Sequence, residues 1–269
     1  TGKSENITVP IESSAGYVAG LINTNATTLG VEASAITRVK FPPPKKNGDI
    51  SFTLKGKPGI NNSATISASV LSTDLTNLAN IINNYSGRTG VTANLSSDKK
   101  HIILENKNGD DIDISSFSGP DTLTTNTTAL GASAGTTITH NSHGLSTGDK
   151  VIYTAGGTAL NNLTSGQTYY AIKVNDNTFR LANSASNASG GTALTIGGAG
   201  GSATDKFTPP FSLEVLKSDF TSFSTPVSID IDGNSYKAAK LSGELQIESS
   251  SAITTSNDGG TCLLYTSDA

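Results

Sequence analysis

The chain has 269 residues, of which 15% are charged and 35% hydrophobic, and it carries a net charge of −4 and one cysteine. That length holds one large domain or two to three small ones. The charge balance offers no basic face for nucleic acid, and no apolar run is long enough to span a membrane as a helix. Charged residues fall well below the roughly 25% usual in soluble domains. Gly, Ser, Thr and Asn take their place, so thin cores spread over several small units are expected.

Residues 1–41 read as a partial strand–helix–strand repeat. "ITVPI" alternates, and Val18, Leu21, Ile22 and Leu29 fall near one helical stripe. Ser14 is the expected N-cap and Gly30 the C-terminal stop. "VEASAITRVKF" alternates as a strand, and "PPPKKNGD" breaks the pattern. Residues 50–118 repeat the theme. Two alternating strands precede a helix with the stripe Leu75, Leu78, Ile81 and Ile82, which Ser72 or Thr73 should cap and Gly87 or Gly90 should end. Further strands follow, with Asn108-Gly109 as a hairpin signal.

Residues 119–135 read as a linker. Residues 136–200 form a different unit, a small antiparallel β barrel or sandwich. Its expected core is Val151, Tyr153, Tyr169, Ala171, Ile172, Val174, Phe179 and Leu181. Residues 207–256 return to alternating strands that complete the repeat domain. The fold class is therefore mainly β with two short helices: α+β repeat units plus the small β unit.

The two helical segments align at a constant offset of sixty positions. Ile22 and Asn23 match Ile82 and Asn83, and Gly30 and Val31 match Gly90 and Val91. Gly supplies a positive φ between the helix and the returning strand. Ile82, Asn83, Gly90, Val91, Thr92, Ala93, Leu104, Gly109, Asp111 and Ile112 together resemble the flagellin "IN" repeat. The first segment is a weaker copy that lacks the last strands. "AAKLSGELQIESSSAITTS" also resembles a strand pair seen late in the variable region of large flagellins, and together these segments cover a little over half of the chain. It implies a structural module displayed on a surface assembly, either a flagellin variable region or a virion protein of a marine tailed phage. The long heptad-rich helices through which flagellins polymerise do not occur in this stretch. The unit at 136–200 is similar to modules of contractile-tailed phage virions and large bacterial surface proteins.

The last residues, "CLLYTSDA", can be reverse-translated in frame to the junction of a widely used transposase sequencing adapter. Residues 262–269 are accordingly read as adapter sequence at the end of a metagenomic fragment, and no chemistry is assigned to Cys262.

No catalytic, cofactor-binding or metal-ligating set is expected, and the chain is read as a non-enzyme. Asp230, Asp232 and Asn234 offer oxygen ligands at alternate positions, as calcium loops do, but position 241 is Leu where a distal acid would be needed. A turn with acidic flanks is the preferred reading there, with calcium left open; Asp110, Asp111 and Asp113 raise the same pair of readings. His140 and His143 lack further zinc ligands nearby and are read as shaping a turn. Tyr153, Tyr169 and Tyr170 could stack on sugars, with core packing preferred. The expected partners are neighbouring subunits of a filament or virion, and the expected location is extracellular. A carbohydrate-binding adhesin module that grips host-surface glycan is the alternative.

Overall fold

The computed structural model describes residues 3–125, 127, 133–134, 136–196, 200–217, 222, 224, 227–229, 231–232, 235–236, 238–249, 252–258 and 261–267. The chain is mainly β, and every strand pairing among these residues is antiparallel. The first repeat runs β1 (Lys3–Thr8), α1 (Ala15–Thr24), the single turn α2 (Ala26–Leu29) and the long strand β2 (Val31–Phe41). The second runs β3 (Gly48–Lys55), β4 (Ser63–Val70), α3 (Thr76–Asn84), the turn α4 (Ser86–Thr89), β5 (Thr92–Leu95), β6 (Ile102–Asn106) and β7 (Ile112–Ser118). The two main helices are the two expected, and each continues into one further turn.

Local chemistry fixes the helix ends. The Ser14 side chain accepts from the Tyr17 N–H, which satisfies a first-turn donor of α1. At α3 the cap is neither Ser72 nor Thr73: the N-cap position is Leu75, whose side chain makes no capping hydrogen bond, and the Thr76 N–H is met instead by Asp74 Oδ1 at 2.8 Å. Gly30 and Gly90 take left-handed φ values of 65° and 76°, and their N–H groups close onto Ala26 and Ser86.

The second repeat is a β sandwich. One sheet has the order β20-β7-β3-β4 and the other β17-β16-β2-β6-β5, where β16 (Phe211–Val215), β17 (Val227–Ile229) and β20 (Ala239–Leu241) come from late in the chain. Phe41 and Phe211 of one sheet pack on Phe52 and Phe117 of the other, with ring centroids 4.6 Å apart for Phe117–Phe211 and 5.6 Å for Phe41–Phe52. Aromatic pairs at such offsets add to the gain from burial. A bulge in β7, where Ser116 has a φ of 53°, resets the alternation and turns Phe117 inward. Helix α3 closes one open side of the sandwich, burying Leu78, Ala79 and Ile82, together with Leu75 just before it, in the same core. The Asn108-Gly109 signal makes no hairpin. Strand β6 pairs with β2 and β5, while β7 pairs with β3 and β20, so the turn carries the chain from one sheet to the other.

The first repeat follows the same plan with borrowed strands. Strand β21 (Glu244–Ser249) pairs with the first half of β2, setting Ala33 opposite Ile247 just as β5 sets Ala93 opposite Leu104. Strands β22 (Ala252–Asp258) and β23 (Thr261–Ser267) join β1 in the order β1-β23-β22. Residues 262–267 of the adapter-like tail thus lie in a strand between β1 and β22.

Between β7 and β16 sits a separate unit. It contains β8 (Leu123–Thr125), β9 (Ser133–Ala134), β10 (Ile138–Thr139), β11 (Lys150–Thr154), β12 (Thr168–Asn175), β13 (Thr178–Ala182), the short helix α5 (Ala185–Ser189), β14 (Thr195–Ile196) and β15 (Asp205–Thr208). Six of the strands form a nearly closed, barrel-like sheet in the order β10-β13-β12-β11-β15-β8. Residues 123–125, expected in a linker, form β8. They belong here because Leu123 is fully buried and pairs with Phe207. Tyr153, Tyr169, Ala171, Phe179 and Leu181 are core as expected, whereas Ile172 is half-buried and Val174 is 47% exposed. The pairing of β12 with β13 shifts register between Lys173 and Asn175, which breaks the alternation at Val174. Strands β18 (Ile231–Asp232) and β19 (Ser235–Tyr236) pair antiparallel, while the turn expected between them, at residues 233 and 234, lies outside the described residues.

Candidate functional site

The repeat motif is carried by two asparagines. Asn83 leaves the end of α3 and meets the backbone of Ala93: its Nδ2 donates to the Ala93 carbonyl at 2.9 Å, and its Oδ1 accepts from the Ala93 N–H at 2.8 Å. Asn23 repeats the arrangement on Ala33 at 2.7 and 2.8 Å. A carboxamide carries both a donor and an acceptor, so it stands in for one residue of a neighbouring strand. Each clamp therefore satisfies an edge that would otherwise present free N–H and C=O groups. Ile22 and Ile82 are buried beside the clamps, as are Val31 and Val91. Thr92 Oγ1 donates to the Glu105 carbonyl at 3.4 Å. On the far side of the same sandwich, Asn77 Nδ2 donates to the Ser69 carbonyl of β4 at 3.0 Å. The constant spacing singles out Asn23 and Asn83, but the acceptor ten residues on appears only in the fold.

Gly109 has a separate role. Its carbonyl accepts from the Gly16 N–H at 2.8 Å, fastening the start of α1 to the β6–β7 turn. A Cβ at Gly16 would overlap the Asn108 carbonyl oxygen, and one at Gly109 would overlap Ala35. Beside this contact lies a groove of about 560 Å³ between the two repeats. Its walls are the turn before α1, the loop end of the β3–β4 hairpin, the residues that follow Gly109, and Lys240.

The acidic residues after Gly109 line this groove. Burial pushes the carboxyl pKa of Asp110 and Asp113 upward, with Ser14 partly offsetting the effect at Asp110 and Lys240 and Lys55 at Asp113. Lys55, Asp113 and Lys240 are cross-strand neighbours on β3, β7 and β20. Asp111 Oδ2 pairs with Lys240 Nζ at 3.1 Å, and the Asp111 side chain is only 10% exposed. Its other oxygen, Oδ1, is buried and has no hydrogen-bond partner. Among the described residues no three acidic, His or Cys side chains are grouped to hold a metal. Of the second calcium candidate, Asp230 and Asn234 lie outside the described residues and Asp232 falls in β18.

In the barrel unit the polar chemistry is internal. Buried Asp205 accepts from Thr127 Oγ1, from the Gly156 N–H at 2.7 Å, and from Tyr153 Oη and the Ser202 N–H at 3.2 Å each. Tyr153 Oη in turn accepts from the Leu160 N–H, and burial pushes its phenol pKa up to about 12. Tyr169 Oη accepts from the Thr164 N–H. Tyr153 and Tyr169 therefore tie loops to the core and present no ring for a sugar, and Tyr170 is half-buried. Nothing in the local sequence marks Asp205, because three of its four donors, from residues 127, 153 and 156, lie far from it along the chain. His143 is fully buried: its Nδ1 accepts from the Leu145 N–H at 2.9 Å, so Nε2 carries the proton donated to the Asn175 carbonyl at 2.8 Å. His140 faces the other way, onto the Pro-rich segment. Lys46 Nζ lies 3.1 Å from its Nε2, and its Nδ1 is 3.2 Å from the Thr124 carbonyl. Lys45 pairs with Asp149 nearby at 3.1 Å. Set against known proteins, the chain matches no family model and no curated protein.

Proposed function

We propose that this chain is a non-enzymatic structural module of a surface-exposed assembly: a virion tail or fibre protein of a tailed phage, or the variable region of a flagellin-like filament. The observation that carries the reading is the pair of asparagine clamps, at Asn23 and Asn83, on two copies of one helix-closed unit. Capped edges suit modules strung side by side, because each unit meets its neighbour without opening its sheets to foreign strands. The polar, weakly charged composition and the resemblance to the flagellin IN repeat support the same reading. The partners are then neighbouring subunits, and the location is outside the cell. Immunogold electron microscopy with an antiserum to the recombinant chain tests it on particles and cells of the source material. Label along tails, fibres or flagella is expected, and label confined to the cell interior overturns it.

A further inference from the structure

The groove between the repeats has the lining of a ligand site. Its volume, about 560 Å³, falls within the range of small-ligand pockets, which favour junctions between structural units. Three lysines and four carboxylates line it, leaving a formal charge near neutral. Such a balance favours neither an anion nor a cation. It supplies donors and acceptors in similar number, which is what a neutral polyhydroxyl compound requires. The rim adds apolar surface. Ile11 is 95% exposed and Tyr17 51% exposed, and both stand at the mouth where the C–H face of a sugar ring could stack. On the groove wall the Asp111 carboxylate, 10% exposed, holds Lys240 Nζ at 3.1 Å from its Oδ2.

We propose that this groove binds a saccharide of a cell-surface glycan, with Tyr17 as the stacking platform and Asp110, Asp113 and Asn108 as hydrogen-bonding groups. The proposal does not rest on the assembly reading, and immunogold label in the wrong place would leave it untouched. The test is an array of bacterial O-antigen and capsular oligosaccharides probed with the full chain, followed by titration of any saccharide retained. At least one saccharide should be retained. Its affinity should fall about tenfold or more in Tyr17→Ala and in Asp110→Asn, and stay unchanged in Tyr85→Ala, an exposed tyrosine outside the groove. Amide shifts of Ser14, Gly16 and Asn108 on titration locate the site in the unaltered chain, even if a variant folds poorly. Retention of no saccharide overturns the proposal. So does retention that Tyr17→Ala leaves intact or that Tyr85→Ala weakens equally, and so do shifts confined to other residues.

Discussion

Asn83 shows how one side chain closes a sheet. Its carboxamide makes both hydrogen bonds that a further strand would make to Ala93. Truncating it leaves a donor and an acceptor unpaired at a half-covered edge, and each such loss costs about 1–3 kcal/mol where water cannot compensate. Asn83→Ala should therefore lower unfolding stability by roughly 1–3 kcal/mol in a urea titration. Asn83→Asp should recover little of that, since a carboxylate can still accept from the Ala93 N–H but sets an oxygen against its carbonyl. Full recovery by Asp would show that the donor half of the clamp is idle. The asparagine's importance was legible from its spacing. Its partner was not, because a side-chain bond to a backbone ten residues away leaves no periodic trace. The same holds for Asp205, whose donors are drawn from residues 127, 153, 156 and 202.

At the scale of elements, helix α1 carries two glycines with opposite surroundings. Gly20 has open space where a Cβ would stand, whereas at Gly16 a Cβ would overlap the Asn108 carbonyl oxygen. In a helix interior Ala is favoured over Gly by about 1 kcal/mol. Gly20→Ala should therefore stabilise the chain by up to about 1 kcal/mol in thermal or urea unfolding. Gly16→Ala should destabilise it, because the first repeat must back away from the Gly109 turn. Stabilisation by both would mean that the contact between repeats yields without cost. The helix and its ends were readable from Ser14, the apolar stripe and Gly30. The role of Gly16 was not, since it is set by a turn ninety residues distant.

For the whole molecule, the barrel unit is an insertion. It leaves the sandwich after β7 and returns before β16, and its first and last strands pair, with Leu123 opposite Phe207. Neighbouring strands lie about 5 Å apart, so a short turn can bridge the gap. Replacing residues 123–207 by a Gly-Ser linker should leave the sandwich folded, with its own cooperative transition in urea. Loss of that transition would show that the barrel is integral to the sandwich core. The junction should also respond to pH. Burial, then the nearby Lys46 ammonium and His143, hold the His140 pKa below its ordinary 6.5, while the Thr124 carbonyl works against them. A base with a depressed folded-state pKa binds fewer protons folded than unfolded. Its contribution is present above pH 6.5 and is lost as pH falls through the lower folded value. Hydrogen exchange around Lys45 and Lys46 should accelerate as the pH falls through that window, after correction for intrinsic rates. His140→Gln should flatten the response.

The sequence by itself determined the mainly β class, the two helices, their glycine stops and the sixty-residue offset between the repeats. These follow from contacts within a few residues: apolar periodicity, caps and positive-φ turns. Only the tertiary structure decided which strands meet. It brought β21 beside β2 across two hundred residues, paired β8 with β15 around the inserted barrel, and carried the Asn108-Gly109 turn between two sheets. It also set Tyr153 and Tyr169 inward while leaving Tyr17 at the mouth of a groove. Strand pairing depends on backbone groups that every sequence shares, so its choice is made by which distant apolar faces can be buried together.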